Sequence, residues 1–144
     1  MTAKQRGTAT AKDMSQEGAN IRIAVVDDEK MLLHVFSSLM RQYHYKADFY
    51  SSPVKALQEI LVDPTRFQLV ISDIRMPEMD GLTFAKKIRD VIPNFPILFM
   101  TGEVNDEVRQ EAMKLGNVAF LEKPFPLDQT LRETIPTFLG LNKK

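Results

Sequence analysis

The stretch VISDIRMPEMDG, residues 70–81, decides the fold of this chain, because an apolar strand leads directly into an acidic side chain, a loop and a helix start. Asp73 ends the strand-like run, and Asp80 can cap the helix that follows. Pro77 and Gly81 shape the turn between them. A short strand joined by a loop to an amphipathic helix is the repeating unit of a parallel α/β sheet.

The same alternation of strand and helix signals extends through the rest of the chain. Apolar runs predict four further strands, at residues 21–26, 46–50, 96–100 and 119–122. Helical spacing predicts helices at about residues 29–43, from Pro53 with Ser52 as its cap, from Asp80, at about residues 104–115 with Gly116 as the C-cap, and around Leu127, Leu131 and Ile135. The sequence therefore predicts five βα units, whose strands form one parallel sheet.

The first two helices carry apolar stripes that we expect to face the core. The stripe of the first helix is formed by Leu32, Val35, Phe36, Leu39, Met40 and Tyr43, and that of the second by Leu57, Ile60 and Leu61. The last predicted helix contains Pro136, and an interior proline removes a hydrogen bond and clashes with the preceding turn. We therefore expect that helix to kink or to stop early.

Composition limits the classes of function. The chain has 144 residues, 19 basic and 19 acidic, which suits one domain without a positive field that would attract nucleic acid or an anionic membrane. Residues 1–20 are polar and predict a flexible tail without a secretory signal, and no apolar run approaches the ~20 residues of a membrane span. Cysteine is absent, which excludes thiolate metal sites. A cytoplasmic protein with no nucleic acid or membrane partner is expected.

Polar side chains follow the predicted strands at the point where each strand ends. They are Asp27 and Asp28 after the first strand, Asp73 at the third, Thr101 at the fourth and Lys123 at the fifth. The carboxyl ends of parallel strands lie along one edge of a sheet, where open α/β folds bind ligands. We therefore expect these residues to meet although almost a hundred positions separate them.

These residue types suit phosphoryl chemistry that depends on Mg²⁺. Mg²⁺ prefers one or two carboxylates, here Asp28 and Asp73, and a cation makes the crowded acidic groups tolerable. An aspartate can attack phosphorus if metal, lysine and hydroxyl groups neutralise the charge on the transferred oxygens. Asp73 is the candidate nucleophile, and Lys123 and Thr101 are the candidate donors to those oxygens.

Each of these residues taken alone has a simpler explanation. An acidic pair before a helix is usually a favourable first-turn charge, Thr101 next to Gly102 is an ordinary turn, and a single lysine is usually solvated. Their common position at strand ends favours one shared site.

Four segments together resemble the motifs of response-regulator receiver domains of two-component signalling. The segments are VVDDE at residues 25–29, residues 70–81, MTG at residues 100–102 and LEKPF at residues 121–125. The resemblance spans about residues 21–139 and implies a CheY-like, flavodoxin-like (βα)5 fold, a three-layer sandwich with strand order 2-1-3-4-5. It also implies that a sensor histidine kinase or a histidine phosphotransfer protein phosphorylates Asp73.

The resemblance further implies how the metal and the switch are built. Asp28 and Asp73 would bind Mg²⁺ directly, with Mn²⁺ as an alternative metal. Asp27 would act through water and Arg75 through its backbone carbonyl, and the Lys123-Pro124 bond would be cis. Phosphorylation would draw in the Thr101 hydroxyl and allow the Phe120 ring to rotate inward, which changes a protein-binding surface.

Two further expectations concern the phosphorylated state and assembly. Arg75 and Glu103 flank the path of the attacking water in this family, so a contact between them would slow hydrolysis, although two solvated side chains remain the simpler interpretation. Pro136 puts in question the family dimer that uses the last helix, so a monomer or a weak homodimer is expected. A receiver domain at residues 21–141 leaves no room for an output domain, so the downstream target would be another protein.

Other functions remain open as alternatives. The chain could serve as a phosphate sink, as an interaction module that is never phosphorylated, or as a receiver excised from a longer regulator. A Mg²⁺-dependent aspartyl phosphatase needs a positioned acid or base, and His34 and His44 lie away from the strand ends. A flavin or nucleotide binder would carry a glycine-rich loop where this chain has residues 27–29, DDE. No turnover of an external substrate is expected.

Overall fold

The computed structural model describes residues 21–102 and 105–141, which fold into alternating strands and helices. The strands are β1 (Arg22–Val26), β2 (Lys46–Tyr50), β3 (Leu69–Asp73), β4 (Ile97–Thr101) and β5 (Val118–Glu122). The first four helices are α1 (Lys30–Gln42), α2 (Pro53–Val62), α3 (Gly81–Val91) and α4 (Asp106–Met113). The last helix, α5, joins three consecutive segments, Leu127–Gln129, Thr130–Thr134 and Ile135–Leu139.

The strands form one parallel sheet in the order β2-β1-β3-β4-β5, which confirms the predicted flavodoxin-like topology. Every residue of β3 and β4 is buried, as expected for interior strands of a parallel sheet covered by helices on both faces. The register pairs Val26 with Ser72, Asp73 with Met100, and Thr101 with Glu122. The carboxyl ends of the strands are therefore level with one another at one edge of the sheet.

Two apolar cores cover the two faces of the sheet, because successive strand side chains point to opposite sides. One core contains Val70 and Phe99 together with Ala56 of α2, Phe84 of α3 and Ala112 of α4. The other contains Ile71 and Leu98 together with Phe36 of α1 and Leu131 and Ile135 of α5. The predicted three-layer sandwich is confirmed.

The structure corrects the buried faces of the first two helices. Val35 is 40% exposed and Leu61 is 37% exposed, although both were predicted to face the core. The buried positions of α1 are Leu33, Phe36 and Met40, and those of α2 are Pro53, Ala56 and Ile60. Adjacent helical residues point about 100° apart, so Val35 and Leu61 lie beside the buried stripe rather than on it.

Helix α5 passes through Pro136 without stopping. The turn before the proline is a π-helix at Thr130–Thr134, and the Ile135 N–H donates to the Thr130 carbonyl. A proline has no N–H to donate and its ring crowds the carbonyl four residues earlier, so a wider turn accommodates it. The helix continues to Leu139, and Gly140 ends it with a left-handed φ of 72°. Early termination was therefore the wrong alternative.

Helix α4 starts slightly later than its apolar spacing predicted. Asn105 is its N-cap, and the Asn105 side chain accepts a hydrogen bond of 2.9 Å from the Val108 N–H. The helix also ends earlier than predicted, at Met113 with Lys114 as its C-cap, so Gly116, which was predicted as the C-cap, lies two residues beyond that cap with a left-handed φ of 71°. Within the described ranges, no helix is both long and apolar enough to cross a membrane.

Candidate functional site

The polar residues predicted to share one edge of the sheet do meet there. Asp27 follows β1, Asp73 ends β3, Thr101 ends β4 and Lys123 follows β5. The relative exposure of Asp27 is 0%, and that of Asp73 is 7%. Two carboxylates are therefore largely removed from water. They lie beside Lys123, which is 96 positions from Asp27 in the sequence.

The Lys123 ammonium connects three carboxylates. Its Nζ lies 3.0 Å from Asp27 Oδ2, 3.0 Å from Glu29 Oε1 and 3.1 Å from Asp73 Oδ2. Burial alone would lower the pKa of Lys123, but these hydrogen bonds and charges outweigh it and raise the pKa above its ordinary value. The lysine therefore remains a cation in this acidic setting.

At Asp27 the effect of burial on the pKa outweighs the contacts that oppose it, so the pKa of this carboxyl group is raised. Burial raises its pKa, while a hydrogen bond from the Glu29 N–H to Asp27 Oδ1 (2.8 Å) and the contact with Lys123 work against that rise. The nearby charge of Asp73 raises the pKa of Asp27 further. An added cation would relieve this repulsion between carboxylates.

The donor set fits a hard divalent cation. Carboxylate oxygens of Asp27, Asp28 and Asp73 all lie within 4.8 Å of one another, and Asp28 is exposed to solvent. Oxygen ligands from one or two carboxylates, completed by waters, are what Mg²⁺ prefers. The backbone of Arg75 lies beside this group, since its N–H donates to Asp73 Oδ1 at 3.2 Å.

Thr101 and Lys123 are joined through the backbone. The Lys123 N–H donates to the Thr101 carbonyl at 2.7 Å, and Thr101 is buried. The Lys123-Pro124 peptide bond is cis. A cavity of about 460 Å³ opens at this point and is lined by Asp73, Arg75, Gly102 and Lys123. The Asp73 carboxylate is thus reachable from solvent next to an ammonium group.

Helix α3 packs closely against the end of β3 at a glycine. The Gly81 N–H donates to the Ile74 carbonyl at 2.7 Å. A Cβ atom on Gly81 would lie 2.2 Å from the Asp73 carbonyl oxygen and 2.8 Å from the Ile74 Cα. Only glycine permits α3 to pack this closely, because a Cβ atom at this position would overlap the backbone of Asp73 and Ile74. Gly81 therefore helps to fix the backbone of Asp73.

Phe120 lies away from the acidic cluster. Its ring is partly buried and stacks on Phe99, with centroids 5.6 Å apart and planes at 25°. The guanidinium carbon of Arg109 lies 4.5 Å from the centre of the same ring, and Arg109 Nη2 lies 3.1 Å from Glu122 Oε2. The contacts of Arg109 with Phe120 and of Glu29 with Lys123 were not predicted from the sequence. Pairing between residues of different elements leaves no local pattern in a sequence.

His34 and His44 are not part of the cluster. Glu103 lies outside the described residues. His34 is exposed on α1, and His44 follows α1 with a positive φ of 65°. Neither histidine is among the residues that contact the carboxylates of this edge.

The family model of the response regulator receiver domain matches residues 23–135, which include β1 from Ile23 onward, the other four strands and the whole acidic cluster. The chain belongs to this family. It is 36% identical over 109 residues to the transcriptional regulatory protein ZraR of Escherichia coli (strain K12), a match that covers 76% of this chain and 24% of ZraR.

Two further relatives support the same conclusion. This receiver domain is 49% identical over 63 residues to the transcriptional regulatory protein FixJ of Bradyrhizobium diazoefficiens, which covers 44% of this chain and 31% of FixJ. The chain therefore spans less than a third of these two regulators. The solved structure of the chemotaxis protein CheY4 of Vibrio cholerae matches with a TM-score of 0.73 and 29% identity, over 82% of this chain and 98% of CheY4.

Proposed function

We propose that this receiver domain is a signalling switch that accepts a phosphoryl group on Asp73 from a phosphohistidine donor. The observation that carries the proposal is the position of the Asp73 carboxylate, with Lys123 Nζ 3.1 Å away and the acidic pair beside it. An Asp73 oxygen attacks phosphorus, the phosphorus–nitrogen bond of the donor breaks, and the donor imidazole leaves with the bonding electrons. The product is an aspartyl phosphate.

Mg²⁺ would be held by Asp28 and Asp73 directly, by Asp27 through water and by the Arg75 carbonyl, with Mn²⁺ as an alternative. When bound, such an ion neutralises charge on the transferred phosphoryl oxygens. Lys123 supplies a second positive charge to the same oxygens from the loop that follows β5. The hydroxyl of Thr101 supplies a hydrogen bond, and its burial limits competition from water.

The output step is a change of surface near β5. Movement of Thr101 toward the phosphoryl group would allow the Phe120 ring to move inward, away from its contact with Arg109. The surface of α4 and β5 then differs between the two states, and a downstream protein can distinguish them. The donor is a sensor histidine kinase or a histidine phosphotransfer protein, and no external substrate is turned over.

The test is the intact mass of the protein after incubation with Mg²⁺ and a small-molecule phosphodonor. We expect the native chain to gain the mass of one phosphoryl group. Asp73→Asn and a chelator-treated sample should gain none. Phosphorylation that persists in Asp73→Asn would place the acceptor elsewhere, and its persistence without divalent metal would remove Mg²⁺ from the proposal.

A further inference from the structure

All three protons of the Lys123 ammonium are already engaged. Lysine has three N–H donors and no acceptor, and three carboxylate oxygens lie at 3.0, 3.0 and 3.1 Å from Nζ. A phosphoryl oxygen on Asp73 needs one of these donors. An incoming phosphoryl oxygen must therefore compete with these three carboxylates for a donor.

The three partners of Lys123 differ in what their release would cost. Asp27 is fully buried, so water cannot replace the charge-assisted hydrogen bond that its carboxylate would lose. Asp73 is the acceptor itself, so the reaction alters its contact with Lys123 whether Glu29 is present or not. The Glu29 side chain is 64% exposed, so its carboxylate regains water when the contact breaks. Glu29 is the partner that is most easily displaced.

The backbone of Glu29 keeps its side chain close to the site. The Glu29 N–H donates to Asp27 Oδ1, and the residue precedes α1 as its N-cap without a side-chain capping bond. Its carboxylate is therefore not needed to start the helix. Nothing in the local fold of the described residues explains the side-chain position except its contact with Lys123.

We propose that Glu29 is a positioning residue that occupies Lys123 in the unphosphorylated protein and competes with the incoming phosphoryl group for it. This inference rests on the proposed function of Asp73. In the unphosphorylated state the Glu29 carboxylate takes the ammonium donor that the phosphoryl oxygen later uses. Glu29 therefore slows phosphorylation and favours the loss of the phosphoryl group.

Two substitutions separate the contact from the charge. Glu29→Gln removes the charge, whereas Glu29→Asp keeps it on a side chain that is one methylene shorter. We expect both variants to be phosphorylated by a small-molecule donor about two- to fivefold faster than the native chain, the range for loss of one exposed ion pair. Acceleration by Glu29→Gln alone would mean that only the field of the charge matters, and it would overturn the proposal.

A matched control and an independent measurement complete the experiment. Glu78→Gln removes a carboxylate on the β3–α3 loop that accepts from Ser52 Oγ at 2.6 Å, and its rate should equal that of the native chain. The ¹⁵N NMR signal of the Lys123 ammonium should shift in both Glu29 variants and stay in place in Glu78→Gln. An unchanged signal in the Glu29 variants would overturn the proposal without any phosphodonor.

The outcomes distinguish this inference from the function on which it rests. If the native chain gains no phosphoryl group, the proposed function fails, and this inference fails with it. If the native chain is phosphorylated and both Glu29 variants react at its rate, only the role of Glu29 is overturned.

Discussion

The guanidinium of Arg109 covers the ring of Phe120 at 4.5 Å while it pairs with Glu122 at 3.1 Å. Arg109 belongs to α4, and the other two residues belong to β5. The Phe120 ring also stacks on the buried Phe99. A single side chain of α4 is thus attached to the strand that carries the proposed switch residue.

We expect Arg109→Ala to lower the free energy of unfolding by about 0.5–1 kcal/mol, the range for a partly exposed cation–π contact. Arg109→Lys should lose less, because an ammonium can still face the ring. Denaturant unfolding of both variants gives the values. Equal stability of Arg109→Ala and the native protein would show that the contact contributes nothing to folding.

Gly81→Ala should destabilise the protein by about 1–3 kcal/mol and slow phosphorylation of Asp73, because the added Cβ would overlap the Asp73 carbonyl. Gly102→Ala is the matched control for stability, since its Cβ would meet nothing within 4 Å. Urea unfolding and the rate of mass gain measure the two effects. A fully stable Gly81→Ala variant would contradict the packing described for α3.

Arg89 ties the loop before β4 to the loop before β5. Its guanidinium donates to the carbonyls of Phe95 (2.8 Å), Leu115 (2.6 Å), Gly116 and Asn117 (3.2 Å). We expect Arg89→Ala to cost about 1.5–3 kcal/mol, the range for loss of hydrogen bonds from a charged donor. Lys87→Ala, an exposed position of the same helix, should change stability by less than about 0.5 kcal/mol. Similar losses of stability in Arg89→Ala and Lys87→Ala would show that the hydrogen bonds of Arg89 do not stabilise the two loops.

Tyr45 should make stability fall at alkaline pH. Its hydroxyl donates to the Leu131 carbonyl at 2.9 Å, and burial raises the pKa of Tyr45 to about 12. Because the folded pKa lies above the unfolded value of about 10, this stabilisation is complete below pH ~10 and is lost as pH rises toward 12. Unfolding measured from pH 9 to 11.5 should show a shallower decline in Tyr45→Phe. Parallel declines would assign the pH dependence to other groups.

Arg75 is expected to lengthen the life of the phosphorylated state. Its side chain is exposed at the cavity beside Asp73, and Glu103, the partner hypothesised for it from the sequence, lies outside the described residues. Arg75→Ala should therefore shorten the half-life of the aspartyl phosphate by up to about fivefold, the limit for an exposed ion pair. The decay of the phosphorylated mass over time measures this. An unchanged half-life would remove Arg75 from the control of hydrolysis.

The predicted fold came from the periodicity of apolar residues, and the register of the sheet bears it out. Short apolar runs such as residues 69–73 are typical of interior strands, and the helical stripe that follows each of them favours this assignment. The errors concern side chains one position away from a buried stripe. Val35 and Leu61 are as apolar as their neighbours, and only the packing of α1 and α2 decides which of them touches the sheet.

The meeting of Asp27, Asp73 and Lys123 was also predictable, because parallel strands bring their carboxyl ends to one edge. The partners of these residues were not. Glu29 reaches Lys123 across 94 positions, and Arg109 reaches the Phe120 ring from a neighbouring helix. Contacts of this kind depend on the angle and depth at which each helix packs.

The sequence by itself therefore determined the parallel sheet and the edge where the chemistry is proposed, since these follow from hydrophobic periodicity and strand polarity, whereas the strand order was implied by the resemblance to receiver domains. Only the tertiary structure decided which side chain occupies each donor of Lys123, what covers Phe120 and how α5 passes Pro136. The physical reason is that these features depend on how closely, and at what angle, elements that are distant in the chain pack together. The order of residues alone does not specify that packing.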